Sequence, residues 1–265
     1  MVSGPLFLAS VSLMMSTPAT PVTPDGGADV ARPAPDWPTA VASAERYARR
    51  RDGSVSFALI DDQGRLYGYD SARSYDSASV VKAMLLVAYL SQSSVRDRSL
   101  GASDRALLEP MIERSDNATA TRVYSQVGSA GLDDVARRAG MLYFAAQPSW
   151  GSAQIAAADQ ARLLASFDQL VPARHRAYAL DLLEHVIGAQ RWGIPEAAPS
   201  DARVFLKGGW RPEGDGWIVH QVARVERGGK RVALAVLTGR DASEAYGHET
   251  IRGVARRALR PLGGP

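Results

Sequence analysis

Ser79, Val80, Val81 and Lys82 put a hydroxyl and a primary amine three residues apart, where a polar stretch gives way to the apolar run Ala83 to Leu90. Positions i and i+3 of a helix share a face, so the amine lies one turn beyond the hydroxyl, within reach of its proton. That pairing suits nucleophilic acyl transfer by a serine with a base beside it. Free backbone N–H groups and the positive dipole end at a helix start would also stabilise an alkoxide and the oxyanion it generates. Alone the spacing is unspecific, because a serine at a helix start is commonly just a cap. Two further clusters carry compatible chemistry. Ser115-Asp116-Asn117 offers a hydroxyl for proton relay, a carboxylate to brace a turn and an amide to meet a ligand, although a plain capping turn has the same composition. Lys207-Gly208-Gly209, followed by Trp210, sets a second amine beside glycines that admit a ligand backbone, although a strand-end turn reads alike.

The surrounding pattern says how these clusters could be held. Asp36 can cap a helix that carries Ala40, Ala44, Tyr47 and Ala48 on one face, before Gly53 breaks it. Ser54 to Ile60 and Leu66 to Tyr69 read as strands joined by the turn Asp61-Asp62-Gln63-Gly64. Helical spacing then runs through Ser79 to Leu90, Arg105 to Arg114, Ala118 to Gln126, Leu132 to Ala139, Ala156 to Leu170 and Arg176 to Gly188. Strands return at Arg203 to Leu206, Trp217 to Val225 and Arg231 to Thr238, with a last helix over Glu249 to Leu259. The expectation is an α/β fold of the α+β kind: one antiparallel sheet built from both chain ends and flanked by helices, with an inserted helical lobe. The domain is expected over residues 36–265, its α/β lobe over 36–75 and 200–265 and its helical lobe over 76–199. The active site belongs in the cleft between lobes.

Bulk properties narrow the function. The chain has 265 residues, 46% of them hydrophobic and 22% charged, ordinary values for a folded domain with a substantial core. Its 31 basic residues are interspersed with 28 acidic ones, so no stripe stands ready to neutralise nucleic-acid phosphates. Lys82, Lys207 and Lys230 are the only lysines, and two of the three fall in the clusters above. Without cysteine, and with four dispersed histidines, no metal site or cofactor is expected. Pro5 to Met15 is an apolar run of export-signal length without a basic residue ahead of it, too short to span a bilayer. Residues 16–35, rich in Pro, Thr, Ala and Gly, read as an extended tether.

Taken in order, S-x-x-K, S-D-N and K-G-G resemble the S-x-x-K, S-D-N, K-T-G signature of class A β-lactamases and penicillin-binding proteins. LLEPMIERSDNATA resembles that family's S-D-N helix boundary, Gly140-Met141 the end of the next helix, and LKGGW with GWIVHQV its edge strand and neighbour. The likeness spans about residues 40 to 260. It implies a β-lactamase-like fold and a small-molecule or peptide-like substrate, a β-lactam or a cell-wall peptide. Carried over, it makes Ser79 the acylated nucleophile, Lys82 the general base, Ser115 the relay to the leaving nitrogen and Asn117 a binder of the substrate's side-chain amide. Lys207 would position Ser115 and hold down the pKa of Lys82. Gly208, Gly209 and Trp210 would line the substrate, with the Ser79 and Trp210 N–H groups forming the oxyanion hole. The family's extracytoplasmic work implies a secreted bacterial protein, and a monomer is expected.

Two departures qualify that inheritance. Class A β-lactamases use a glutamate after S-D-N to hydrolyse the acyl-enzyme, whereas this chain has no glutamate between Glu113 and Glu184 and reads AAQPSWGSAQ in that region. Gly208 replaces the family threonine that helps hold a substrate carboxylate, leaving Arg203, Arg211 or His220 as candidates by proximity. The readings that follow are a slow β-lactamase, a D,D-peptidase or an esterase. A cell-surface binding protein with a degenerate site contrasts with all three.

Overall fold

The computed structural model describes residues 1, 2, 4 and 36–263. The expected export segment and tether at residues 1–35 lie, but for residues 1, 2 and 4, outside the described residues. The chain divides into the units Met1–Ala34 and Pro35–Pro265, and the second holds every element below. In order these are α1 (Trp37–Ala48), β1 (Ser54–Ile60), β2 (Leu66–Tyr69), β3 (Tyr75–Asp76), α2 (Lys82–Ser91), α3 (Ala102–Glu113) and α4 (Asn117–Arg138). They continue with β4 (Gln154–Ile155), α5 (Ala157–Ala165), α6 (Phe167–Leu170), α7 (Arg176–Glu184), α8 (Ile194–Ala197), β5 (Arg203–Glu213), β6 (Gly216–Arg227), β7 (Lys230–Asp241) and α9 (Glu244–Ala258). Among the described residues no helix is long and apolar enough to cross a membrane.

The sheet is antiparallel in the order β2-β1-β7-β6-β5, so strands from the two ends of the domain meet at the β1–β7 pair. β1 is buried at every residue and β7 from Val232 through Gly239, a stretch apolar but for Thr238. Such runs suit a sheet covered on both faces. Helices α1 and α9 pack together, α9 lies on β6 and β7, and α5 lies on β1 and β7. Asp36 caps α1 as expected, its Oδ1 accepting from the Thr39 N–H at 3.0 Å. The Asp61 carboxylate holds the β1–β2 turn by accepting from the N–H groups of Gln63 and Arg65, each at 2.9 Å. In the helical lobe α2 is buried from Lys82 through Leu90 and packs against α3 and α4. A helix apolar all round takes the centre of a bundle.

Boundaries shift where tertiary packing overrides local signals. The Arg105 to Arg114 helix starts earlier, at Ala102, and the two helices expected at Ala118 and Leu132 join into α4 around a kink at Gly128, where φ is 63°. The strand expected to stop at Leu206 runs on to Glu213, so Lys207-Gly208-Gly209 lies inside β5 and not at a strand end. Gly208 pairs with Gln221 and Gly209 with His220, so pairing with β6 keeps both glycines extended. The last helix begins at Glu244, because the Ser243 hydroxyl caps the Tyr246 N–H.

One buried acid closes β7 beneath α9. Asp241 is fully buried, and Thr238 Oγ1 contacts both its Oδ2 and the Val219 carbonyl oxygen, the latter at 2.7 Å. A hydroxyl has one hydrogen. That hydrogen can serve only one of the two oxygens at a time, and Asp241 Oδ1 has no hydrogen-bond partner, so the buried carboxylate is poorly compensated. Burial pushes the Asp241 pKa up to about 6, against the Thr238 contact and the Arg51 charge. Its stabilising neutral form is complete below the unfolded value near 3.8 and is lost as pH rises through about 6. The cost at pH 7 is on the order of 2–3 kcal/mol. Asp241→Asn should therefore remove the decline in urea stability between pH 4 and 7 and leave the variant more stable than wild type at pH 7. Parallel curves for the two proteins would show the carboxyl to be ionised throughout.

Candidate active site

The nucleophile candidate sits on a turn held from three sides. Residues Ala78–Val81 form a 3-10 turn ahead of α2, so Ser79 precedes the α-helix instead of opening it. Residues i and i+3 of a 3-10 turn eclipse, which still sets Lys82 on the side of Ser79. Ala78 takes a left-handed φ of 43°, a conformation that costs a non-glycine residue about 1–3 kcal/mol. The turn is tied by the Ser77 N–H to Ala153 O at 2.8 Å and by the Ser77 hydroxyl to Trp150 O at 3.1 Å. On the third side runs β5. A Cβ on Gly209 would stand 2.6 Å from the Ser79 nitrogen and 2.7 Å from that of Val80, so only glycine lets the strand pass this close.

Ser115 is presented in the same way. Its φ of 58° is left-handed, and it stands between the end of α3 and the Asp116 cap of α4, whose Oδ1 accepts from the Thr119 N–H at 2.7 Å. The Ser115 hydroxyl oxygen lies 3.1 Å from Lys82 Nζ and 3.1 Å from Lys207 Nζ. Lys82 also donates to Ser115 O at 2.5 Å and to Asn117 Oδ1 at 2.8 Å. That second bond orients the Asn117 amide, leaving its Nδ2 free to donate elsewhere. Lys207 further donates to Gly208 O at 2.8 Å and approaches Gln190 Oε1 at 3.4 Å. No hydrogen bond joins Ser79 Oγ to Lys82 among the described residues. Ser79, Arg114, Ser115, Asn117, Gln190 and Trp210 line one cleft of about 220 Å³.

Both amines are fully buried. Burial lowers the Lys82 pKa to about 8, with the Asp116 carboxylate pulling it upward. Lys207 falls well below the ordinary lysine range, first through burial and then through repulsion from Lys82. Desolvation is thus the leading cause for both, and the mutual repulsion falls on Lys207. A partly neutral amine at Lys82 can accept a proton near neutral pH, and the Ser115 hydroxyl connects it to a second amine. The six groups that sequence order selected by type, Ser79, Lys82, Ser115, Asn117, Lys207 and Trp210, all meet at this cleft or bear on it, with Gly208 and Gly209 on its strand.

The family described as Beta-lactamase2, the beta-lactamase enzyme family, matches residues 97–262, more than half of the chain and the span holding Ser115, Asn117 and Lys207. The chain belongs to the beta-lactamase enzyme family. Its fold is shared by a beta-lactamase of Sphaerobacter thermophilus at 20% identity and a TM-score of 0.73, with 86% of this chain and 97% of that one covered. A beta lactamase of Xanthomonas campestris matches at 18% identity and a TM-score of 0.73, over 86% of this chain and 98% of that one. The protein PBP-A matches at 18% identity and a TM-score of 0.69, covering 83% and 94%. No curated protein matches the chain.

In this member of the beta-lactamase family the cations expected to replace the threonine each have partners of their own. Arg211 is paired with Asp76 and Glu213 and donates to Gly151 O at 2.9 Å. Arg203 is paired with Glu184 at 2.6 Å. His220 is fully buried between Asp76 O and the Thr238 N–H, and burial lowers its pKa to about 4, leaving it neutral. The cleft recruits residues that carried no motif: Arg114, which directly precedes S-D-N, and Gln190, from a helix-breaking stretch. Trp150, from the segment lacking a glutamate, lays its ring 4.8 Å from Lys82 Nζ. Trp192 covers Gly208, where an added Cβ would lie 3.3 Å from the indole. The two glycines therefore tolerate a methyl differently. Gly209→Ala should lose about 1–3 kcal/mol by forcing β5 off the Ser79 turn, and Gly208→Ala less, since an indole can give way. Thermal melting of the pair checks this, and equal melting points would mean that the strand does not press on the turn.

Proposed function

We propose that this protein is a serine hydrolase that forms an acyl-enzyme at Ser79 with a β-lactam or peptidoglycan-type amide, and that the acyl group is released slowly. The observation that carries the reading is the Ser115 hydroxyl held 3.1 Å from each of two buried lysine amines, in the cleft that Ser79 lines. Neutral Lys82 takes the Ser79 proton as Oγ attacks the carbonyl carbon, which becomes a tetrahedral oxyanion facing the N–H groups of Ser79 and Trp210. The proton then passes from Lys82 through Ser115 to the amide nitrogen, the C–N bond breaks, and the acyl group remains on Ser79. The Asn117 Nδ2 binds an amide oxygen of the ligand on this reading, which the Lys82 bond to its Oδ1 supports by leaving Nδ2 free.

The slow second step rests on what surrounds Lys82. No aspartate or glutamate lines the cleft among the described residues, and the indole of Trp150 faces the lysine instead. Water therefore lacks a carboxylate base. Work outside the cytoplasm belongs to the same proposal, supported by the apolar run at Pro5 to Met15 and by the habit of the family.

A fluorescent penicillin followed by intact mass tests the reading. Wild type should gain one stable adduct, Ser79→Ala none, and Lys82→Met none while keeping its circular dichroism spectrum. The adduct-forming rate should rise about tenfold per pH unit below pH 8 and level off above it, because the base must shed its proton first. A wild type that neither labels nor hydrolyses, behaving like Ser79→Ala, would leave a binding protein on this scaffold.

A further inference from the structure

Acyl transfer at Ser79 leaves one group in the cleft without a role. Arg114 lines it beside Ser79, Ser115, Asn117, Gln190 and Trp210, and its side chain is exposed. Among the described residues its guanidinium has neither a salt-bridge partner nor a hydrogen-bond acceptor. Glu113 senses its charge but lies beyond pairing distance. The other arginines around the cleft are engaged: Arg211 with Asp76 and Glu213, Arg203 with Glu184, and Arg191 with the Glu184 carbonyl oxygen at 2.6 Å. The two lysine amines that flank the Ser115 hydroxyl are fully buried. Arg114 is therefore the exposed and unpaired cation in the cleft lining among the described residues.

Its backbone is held in place. Arg114 caps α3, with its N–H on Pro110 O at 3.2 Å, and the neighbouring Glu113 carbonyl accepts from the Ile187 N–H at 3.0 Å. That bond brings the wall carrying Gln190 to the arginine. On the opposite side β5 offers no hydroxyl at Gly208, and Trp192, stacked on His248 at 3.8 Å between ring centres, occupies the space over it. A guanidinium fork matches a carboxylate with two parallel hydrogen bonds and keeps its charge at all working pH values. We propose that Arg114 binds a carboxylate borne by the substrate, so that anion recognition lies at the α3–α4 junction and not on β5. This deepens the acyl-transfer reading and rests on it for the identity of the ligand. An arginine at a helix C-terminus also complements the helix dipole, a role that would affect stability alone.

Noncovalent binding separates these possibilities without requiring turnover. In Ser79→Ala, the quenching of tryptophan fluorescence on titration with benzylpenicillin and with its methyl ester gives two dissociation constants. The acid should bind about 10- to 100-fold more tightly than the ester. Adding Arg114→Gln should erase that ratio by weakening the acid alone, and Arg114→Lys should retain part of it. An unchanged ratio in Arg114→Gln, equal weakening of both ligands, or no preference in Ser79→Ala itself would overturn the assignment. A lower melting point with the ratio intact would reduce Arg114 to its dipole role. Parallel mass labelling of wild type keeps the two claims apart: absent labelling with an Arg114-dependent ratio defeats acylation at Ser79 and leaves the carboxylate site standing.

Discussion

Two lysine amines share one serine hydroxyl in the interior of this protein, and the rest of the structure follows from that arrangement. Taking an ammonium out of water costs several kcal/mol unless its charge is compensated or lost. Here compensation is partial. Lys82 has three oxygen acceptors and Lys207 has two close ones with a third at 3.4 Å, but neither has a carboxylate in contact. The nearest acid acting on Lys82 is Asp116, which is bound to Thr119 and acts only through its field. Desolvation accordingly outweighs attraction, and the Lys82 pKa settles near 8. A buried amine that would be a defect in an ordinary core is here the source of basicity near neutral pH.

Holding that arrangement requires strain at two turns and a close approach by one strand. Ala78 and Ser115 are two of the four described non-glycine residues with positive φ, and each flanks or supplies a hydroxyl of the site. The surrounding structure must over-determine such conformations for them to persist. At Ala78 this comes from the Ser77 bonds and from β5 pressing on the Ser79 nitrogen through Gly209. At Ser115 it comes from the Asp116 cap and from the Asp116 N–H reaching back to Pro110 O at 3.0 Å. The β1–β7 junction links strands from the two ends of the domain into one sheet, and β5 of that sheet packs on the Ala78–Val81 turn.

Much of this was legible in the residues, for identifiable reasons. The two strand runs of β1 and β2, the Asp61 turn between them and the apolar run of β7 are local signals that tertiary structure reinforced. The three clusters, each unspecific alone, were legible because their order and their places at element boundaries resemble one family's signature. What stayed hidden depended on contacts across the chain. Lys207-Gly208-Gly209 reads as a strand end because glycine weakens a strand, yet pairing with β6 and the need to clear Ser79 keep both glycines in mid-strand. Arg203, Arg211 and His220 sit near the motif in sequence, but the two arginines are held by the acids Glu184, Asp76 and Glu213, and His220 by the Asp76 carbonyl oxygen and the Thr238 N–H, contacts that mostly come from other segments. Trp150 and Trp192 carry no periodic or motif signal. Each is placed by the segment that brings it, from 71 and 15 residues away from Ser79 and Lys207 respectively.

The absence of a carboxylate in contact with Lys82 bears both on its pKa and on the proposed slow release of an acyl group. A carboxylate in contact with an amine raises the amine's pKa by roughly 1–3 units. The Trp150 indole that faces Lys82 also favours the protonated form, but a cation–π contact of this kind is worth about 0.5–2 kcal/mol, around one unit at most. With an indole and no carboxylate in contact, Lys82 is freer to shed its proton than a carboxylate-paired amine would be. On the acyl-transfer reading proposed above, the same surroundings deny a hydrolytic water its carboxylate base, so that reading pairs acylation with slow release, and the proposed Arg114 site would select which amides arrive.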